Sequence, residues 1–312
     1  MPAIWVYSED IIITQQLLAL GRELADKMQA QLCAFTLNGE GATSLIASGA
    51  DKVFSLQGNS LWPESYAQSL ADFAAQERPE AIFIGATQRG KDLAAKVAAL
   101  IKAGLVTEAF AIRLVDGSIE TDRIMYGGLA ICTDTLVAPA MVTVPARTYE
   151  ALAPDPTRTG EIVTLDVTTD DRVSVSNVCP IVREGADISI ADKLVCVGRG
   201  LAKQEDMKLV EDLAAALGAE IGCTRGIAED YHWLPNDRYI GLSGQKIKPS
   251  LYISLGISGQ VQHVSGIRDS KIIVAIDTNE NAPIFEAADY GIVGDLYEIS
   301  PLLTEAIKKA VK

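Results

Sequence analysis

The sequence predicts an α/β protein of two domains, and three observations carry that reading. Short apolar runs alternate with segments of helical periodicity. The alternation breaks off near residue 105 and restarts near residue 190. At about 150 residues per domain, 312 residues leave room for two, each large enough to bury its own core.

In the first half, Ala3–Tyr7 is a short apolar strand and 11–29 carries apolar positions at helical spacing. Gln31–Leu37 is a second strand, and 41–49 a helix that ends in glycine. Lys52–Leu56 is a third strand. Residues 62–76 form a helix that tolerates Pro63 in its first turn. Ala81–Gly85 is a fourth strand and Lys91–Lys102 a fourth helix. This order predicts a parallel sheet covered by helices. Beyond residue 105 the runs Ala109–Val115, Ile119–Tyr126, Met141–Val144 and Ile162–Val167 read as strands with no helices between them. Asp116-Gly117 marks a hairpin turn between the first two. The parallel unit is therefore expected to continue into an antiparallel extension. The polar segment 154–187 closes the first domain, giving expected domains of 1–187 and 188–312.

The second half opens on strand Leu194–Val197, followed by Gly198-Arg199-Gly200 and a helix over 204–217. Then come strand 219–223, a long irregular loop over 226–250, and strand Leu251–Leu255. A helix starting near Ser258, strand Lys271–Ile276, strand-like Gly291–Val293 and a last helix over 301–311 complete the chain.

Lys and Arg number 27 against 41 Asp and Glu, a formal net charge of -14. That argues against nucleic acid or an anionic membrane surface as a main partner. The five cysteines are odd in number and form no CxxC pair, which argues against a disulfide framework, a zinc ribbon or a cysteine-ligated cluster. The N-terminus has neither a secretory nor a transit pattern, and no run has the ~18 apolar residues of a membrane span. A cytoplasmic, bacterial protein without membrane insertion is expected.

Several segments of the second half could hold an anionic ligand. Gly198-Arg199-Gly200 joins a strand to a helix, where backbone can approach a phosphate, and Arg199 adds a fixed charge. The spacing is not a full G-x-G-x-x-G, so alone it also reads as a tight βα turn. Gly256-Ile257-Ser258-Gly259 ends a strand and leads to Gln262 and His263, with Ser258 and Gly259 where N-cap residues belong. A lone histidine is more often structural than a ligand contact. Arg225 closes a strand on the side where open α/β sheets bind ligands. The loop Ile240-Gly241-Leu242-Ser243-Gly244 offers backbone and hydroxyl donors, and Asp295 a carboxylate for a ribose. In the first half, 85–91 has the G-x-x-x-x-G-K spacing of a phosphate loop. Asp92 stands where that loop needs Ser or Thr for Mg²⁺, so a plain βα turn is the better reading.

The run LYISLGISGQVQHVSGIRDSKIIVAI resembles the signature segment of the electron-transfer flavoprotein α-subunit family. The resemblance extends through NAPIFEAADYGIVGD, the GRG turn and CTRG, and in the first half through GATQRGKDLAAKVAALI and MYGGLAICT. In general form the chain is most similar to the bacterial fix/carnitine-type branch, which is short and lacks an iron–sulfur extension. The resemblance implies an N-terminal nucleotide-α-hydrolase-like domain that pairs with a β-subunit. A flavodoxin-like, Rossmann-like domain that holds FAD follows it.

Carried over residue by residue, it implies that Arg199, Thr224 and Arg225 contact FAD, with Arg225 beside the isoalloxazine ring. It puts Ser243 at the flavin N5 region within the Gly241–Ser243 loop. It puts Ser258, Gly259, Gln262 and His263 in the S-G-x-x-Q-H run with His263 near the flavin O2, and Asp295 with Leu296 at the adenosine end. Three positions depart from the family, the first of them only mildly. Thr224 replaces a serine but keeps its hydroxyl. Leu242 stands where the family often has Gln, and Asp277 where it has Asn, which Asp cannot match as an amide donor.

The function so implied is an electron carrier rather than a stand-alone enzyme. With its β-subunit it shuttles electrons between an acyl-CoA dehydrogenase-type flavoenzyme and another redox partner, with electron bifurcation left open. A nucleotide-binding sensor without redox activity and a pyridine-nucleotide dehydrogenase stand as alternatives.

Overall fold

A computed structural model describes residues 1–58, 60, 62–170, 172–179 and 187–310. The chain divides into two compact units, Met1–Cys179 and Pro180–Lys312. Residues 180–186, in the polar segment where the sequence puts the end of the first domain, lie outside the described residues, as does residue 311, where the sequence puts the end of the last helix.

The first unit runs β1 (Ala3–Tyr7), α1 (Ile11–Met28), β2 (Gln31–Leu37), α2 (Ala42–Ala47), β3 (Lys52–Gln57), α3 (Ala67–Glu77), β4 (Ala81–Gly85) and α4 (Gln88–Ile101). It continues through β5 (Leu105–Val106), β6 (Ala109–Val115), β7 (Ser118–Met125), β8 (Ala130–Leu136), β9 (Ala140–Val144) and β10 (Glu161–Asp166). Local chemistry sets the helix starts. Asp10 accepts the Ile12 N–H at 2.8 Å to open α1, and Thr87 accepts the Gly90 N–H at 2.8 Å to open α4. Apolar cores fill both faces of a seven-stranded parallel sheet ordered β10-β3-β2-β1-β4-β9-β5.

The antiparallel extension is real but smaller than expected. Only β6, β7 and β8 form it, and β8 was not foreseen. Asp116 and Gly117, both at positive φ, make the two-residue turn between Val115 and Ser118. The other two strands return to the parallel sheet: β9 inserts between β4 and β5, and β10 caps the β3 edge. The five residues of β9 are all buried, as suits an internal parallel strand.

The second unit runs β11 (Lys193–Val197), α5 (Met207–Leu217), β12 (Glu220–Cys223), β13 (Leu251–Leu255), α6 (Val261–Ile267), β14 (Ile273–Asp277), α7 (Ile284–Ala287), β15 (Tyr290–Val293) and α8 (Leu296–Ala310). All its strand pairs are parallel, in the order β12-β11-β13-β14-β15. This is the doubly wound 2-1-3-4-5 arrangement, in which connections leave β11 and β13 in opposite directions and open a crevice at their carboxyl ends. Two expected boundaries move. The helix expected near Ser258 starts at Val261 with Gln260 as its cap, and the one expected from 301 starts at Leu296.

Candidate functional site

Everything at the crevice depends on how closely the turns after β11 and β13 approach each other. Gly198 donates its N–H to Leu255 and Gly200 to Gly256, each at 3.0 Å. A Cβ on Gly200 would lie 2.5 Å from the Gly256 Cα, and one on Gly198 would strike the Gly256 carbonyl oxygen. Gly256 itself sits at φ +58°, where a side chain is strained as well as crowded. Gly259, at φ +82°, has the Ile284 backbone nitrogen where its Cβ would be. The Ser258 carbonyl instead accepts the Ile284 N–H at 3.1 Å, and Ser258 does not cap α6. The bend at Gly259 delays the helix by three residues.

The cavity at this junction measures about 730 Å³, within the roughly 300–1,000 Å³ of small-molecule and cofactor sites. The crevice brings together every residue that the resemblance implies as an FAD contact except Gly241. Gly241 lies behind it, where its N–H donates to the Gln245 carbonyl at 3.1 Å and shapes the loop. That loop is tied to α6 by the Leu242 N–H, which donates to the Gln262 carbonyl at 2.7 Å. Ser243 shares a 2.9 Å hydrogen bond with the Tyr239 hydroxyl.

At the edge of the sheet, Thr224 and Arg225 follow β12, and a single π-turn over Gly226–Asp230 comes next. Arg225 Nε donates to Glu229 at 2.5 Å, and Arg199 pairs with Asp230. Asp277 ends β14 and accepts the Asn279 N–H at 2.9 Å. Asp295 accepts the Tyr297 N–H at 2.9 Å and so opens α8.

His263 departs most from the expectation. It is the third residue of α6, and only 7% of it is exposed. Its Nδ1 faces the Ile240 carbonyl at 3.0 Å, so Nδ1 carries the proton. Nε2 then accepts from the Tyr252 hydroxyl at 2.7 Å. Burial pushes its pKa down to about 4. The imidazole is neutral with both nitrogens engaged, and a ligand oxygen would have to exchange for one of these partners.

Sequence reasoning missed Glu229, Asp230 and Tyr239 as lining residues. A signal for Glu229 existed in its i,i+4 spacing from Arg225. The phosphate-loop spacing of the first unit serves structure instead: Thr87 caps α4, and Lys91 pairs with Glu108 at 2.9 Å. Among the described residues no cluster of metal-ligating side chains occurs, and no helix is long and apolar enough to cross a membrane.

The crevice fits a nucleotide cofactor on three counts: its size, its glycine-lined backbone turns and its two arginines. Comparison with known proteins points the same way. A family model described as "Electron transfer flavoprotein domain" matches residues 11–170, and one described as "Electron transfer flavoprotein FAD-binding domain" matches residues 187–268. The chain is 36% identical over 312 residues to Protein FixB of Escherichia coli O157:H7, covering 98% of both chains. Protein FixB of Shigella flexneri shows the same identity and coverage.

Proposed function

The chain belongs to the electron-transfer flavoprotein α-subunit family, and on that premise we propose that it holds FAD in the crevice of its second unit and carries electrons as one half of a heterodimer with a β-subunit. Its donor is an acyl-CoA dehydrogenase-type flavoenzyme and its acceptor a second redox protein, in the cytoplasm. The observation that carries the reading is convergence. Residues matched to the family's FAD contacts are scattered over 199–296 in sequence and meet at one crevice.

Bound FAD supplies the electron chemistry, and the protein supplies position and electrostatics. The glycine turns of residues 198–200 and 256–259 leave backbone exposed where a diphosphate needs close approach. Arg199 and Arg225 bring guanidinium charges, which favour the more negative, reduced cofactor. Neutral His263 adds no charge but fixes the α6 end of the crevice through Ile240 and Tyr252.

For the β-subunit, the antiparallel sheet of the first unit is the surface we favour. Tyr126 and Leu129 are 76% and 83% exposed, and Ile131, paired with Ile124 across β7 and β8, is exposed too. Apolar side chains grouped like this on one small sheet and its β7–β8 turn are a mark of a protein contact.

The test is reconstitution. Co-expressed with its β-subunit, the chain should purify as a yellow heterodimer whose flavin bleaches on addition of acyl-CoA and catalytic dehydrogenase. A yellow heterodimer that no such dehydrogenase reduces would reject this donor class. Two flavins per heterodimer would support bifurcation.

A further inference from the structure

Both arginines of the crevice are already engaged, and their partners come from one segment. The π-turn Gly226–Asp230 closes with the Tyr231 N–H on the Gly226 carbonyl at 3.0 Å. Single π-turns of this kind are rare and concentrate at functional sites. Its last two residues, Glu229 and Asp230, take Arg225 and Arg199 respectively. Gly226 makes the second pair possible, since a Cβ there would occupy the place of the Arg199 Nε.

Other i,i+4 ion pairs lie on the surface of this protein, such as Lys27–Glu23 and Lys208–Asp212. The Arg225–Glu229 pair differs because both its ends line the crevice, and Arg199–Asp230 reaches across 31 residues to the same place.

The charge balance makes these pairs consequential. Charged side chains lining the crevice are Arg199 and Arg225 against Glu229, Asp230, Asp277 and Asp295. That balance is acidic, which opposes an anionic dinucleotide unless the arginines are presented to it. The paired side chains are between 37% and 66% exposed. Ion pairs this wet alter an equilibrium by about fivefold at most, so they orient a guanidinium without locking it. Glu229 also raises the Arg225 pKa further, so the arginine stays charged.

We propose that Glu229 and Asp230 are charge-setting residues of the cofactor crevice: they position Arg225 and Arg199 and offset part of their charge. Affinity for the anionic cofactor and the reduction potential of bound flavin then both sit below what the arginines alone would give. The proposal rests on the reading of the crevice as an FAD site.

The experiment compares full-length wild type with Glu229→Gln and Asp230→Asn, both nearly isosteric. FAD affinity is measured by fluorescence titration, and the flavin potential by equilibration with a reference dye. Each variant should bind FAD about two- to fivefold more tightly, the factor such pairs carry. Glu229→Gln should also raise the potential, and both effects should shrink in high salt. In an Arg225→Ala background, Glu229→Gln should change neither quantity. Wild-type affinity and potential in both single variants would overturn the proposal. So would an undiminished Glu229→Gln effect in the absence of Arg225. Failure of the wild-type protein to take up FAD would instead overturn the reading of the crevice on which the proposal rests.

Discussion

His263 shows how far a single environment can redirect a residue. Burial holds its pKa at about 4, against an ordinary histidine value near 6.5. Between those values the unfolded chain binds a proton that the folded chain refuses. Stability therefore rises with pH across this window and is lost as pH falls from about 6.5 towards 4. The full swing is on the order of 3 kcal/mol. His263→Gln removes the titrating group. The stability gap between wild type and variant, measured by urea unfolding, should narrow from pH 7 to pH 4.5. A gap independent of pH would mean the imidazole is not buried as described.

Arg225 makes the complementary case, since its charge is permanent. Arg225→Ala should lower the potential of bound flavin, and Arg225→Lys should lower it less, because Lys keeps the charge but loses the planar fork. FAD should remain bound in both through the glycine turns and Arg199. An unchanged potential in flavin-loaded Arg225→Ala would leave Arg225 a structural arginine. The identities of both residues were legible in sequence. The His263 partners Tyr252 and Ile240 were not, because side-chain partners distant in sequence are a tertiary outcome, whereas Glu229 lies only four residues from Arg225.

Among the elements, the turns after β11 and β13 matter most. Gly256→Ala adds a methyl 2.6 Å from the Gly200 Cα at a positive φ. Overpacking and the left-handed backbone together should cost about 2 kcal/mol or more. The crevice should lose FAD affinity at the same time, read as lower flavin content after purification. Normal flavin content and stability would show that the two turns can separate without consequence.

These turns were readable because glycine and a strand-to-helix transition are local signals. Strand β8 was not, since none of its residues is buried and its sequence, AICTDTL, carries few large apolar side chains. The choice of β9 and β10 to rejoin the parallel sheet depends on partners far away in sequence. The start of α8 was masked by Pro301, which usually marks a helix beginning. Here Asp295 caps the helix six residues before it, and Leu296, Ser300 and Thr304 make a buried stripe at i,i+4 spacing. That packing outweighs one lost backbone hydrogen bond.

At the scale of the molecule, alternation and chain length predicted two α/β units, and the main sheet of each is parallel as expected, beside the three-stranded antiparallel one. The net charge of -14 selects no redox partner, because docking depends on local patches. The β-subunit surface can be tested locally: Leu129→Lys puts a charge at an 83% exposed apolar position and should leave folding intact while reducing co-purification of the β-subunit. Equal recovery of the β-subunit would move the pairing face elsewhere. The central claim is that the crevice of the second unit holds FAD, and the most direct measurement is the identity and amount of ligand released when the purified protein is denatured. Denaturation should release FAD at no fewer than one per copy of this chain, and less from Gly256→Ala. A colourless protein that takes up no flavin when incubated with FAD would contradict it.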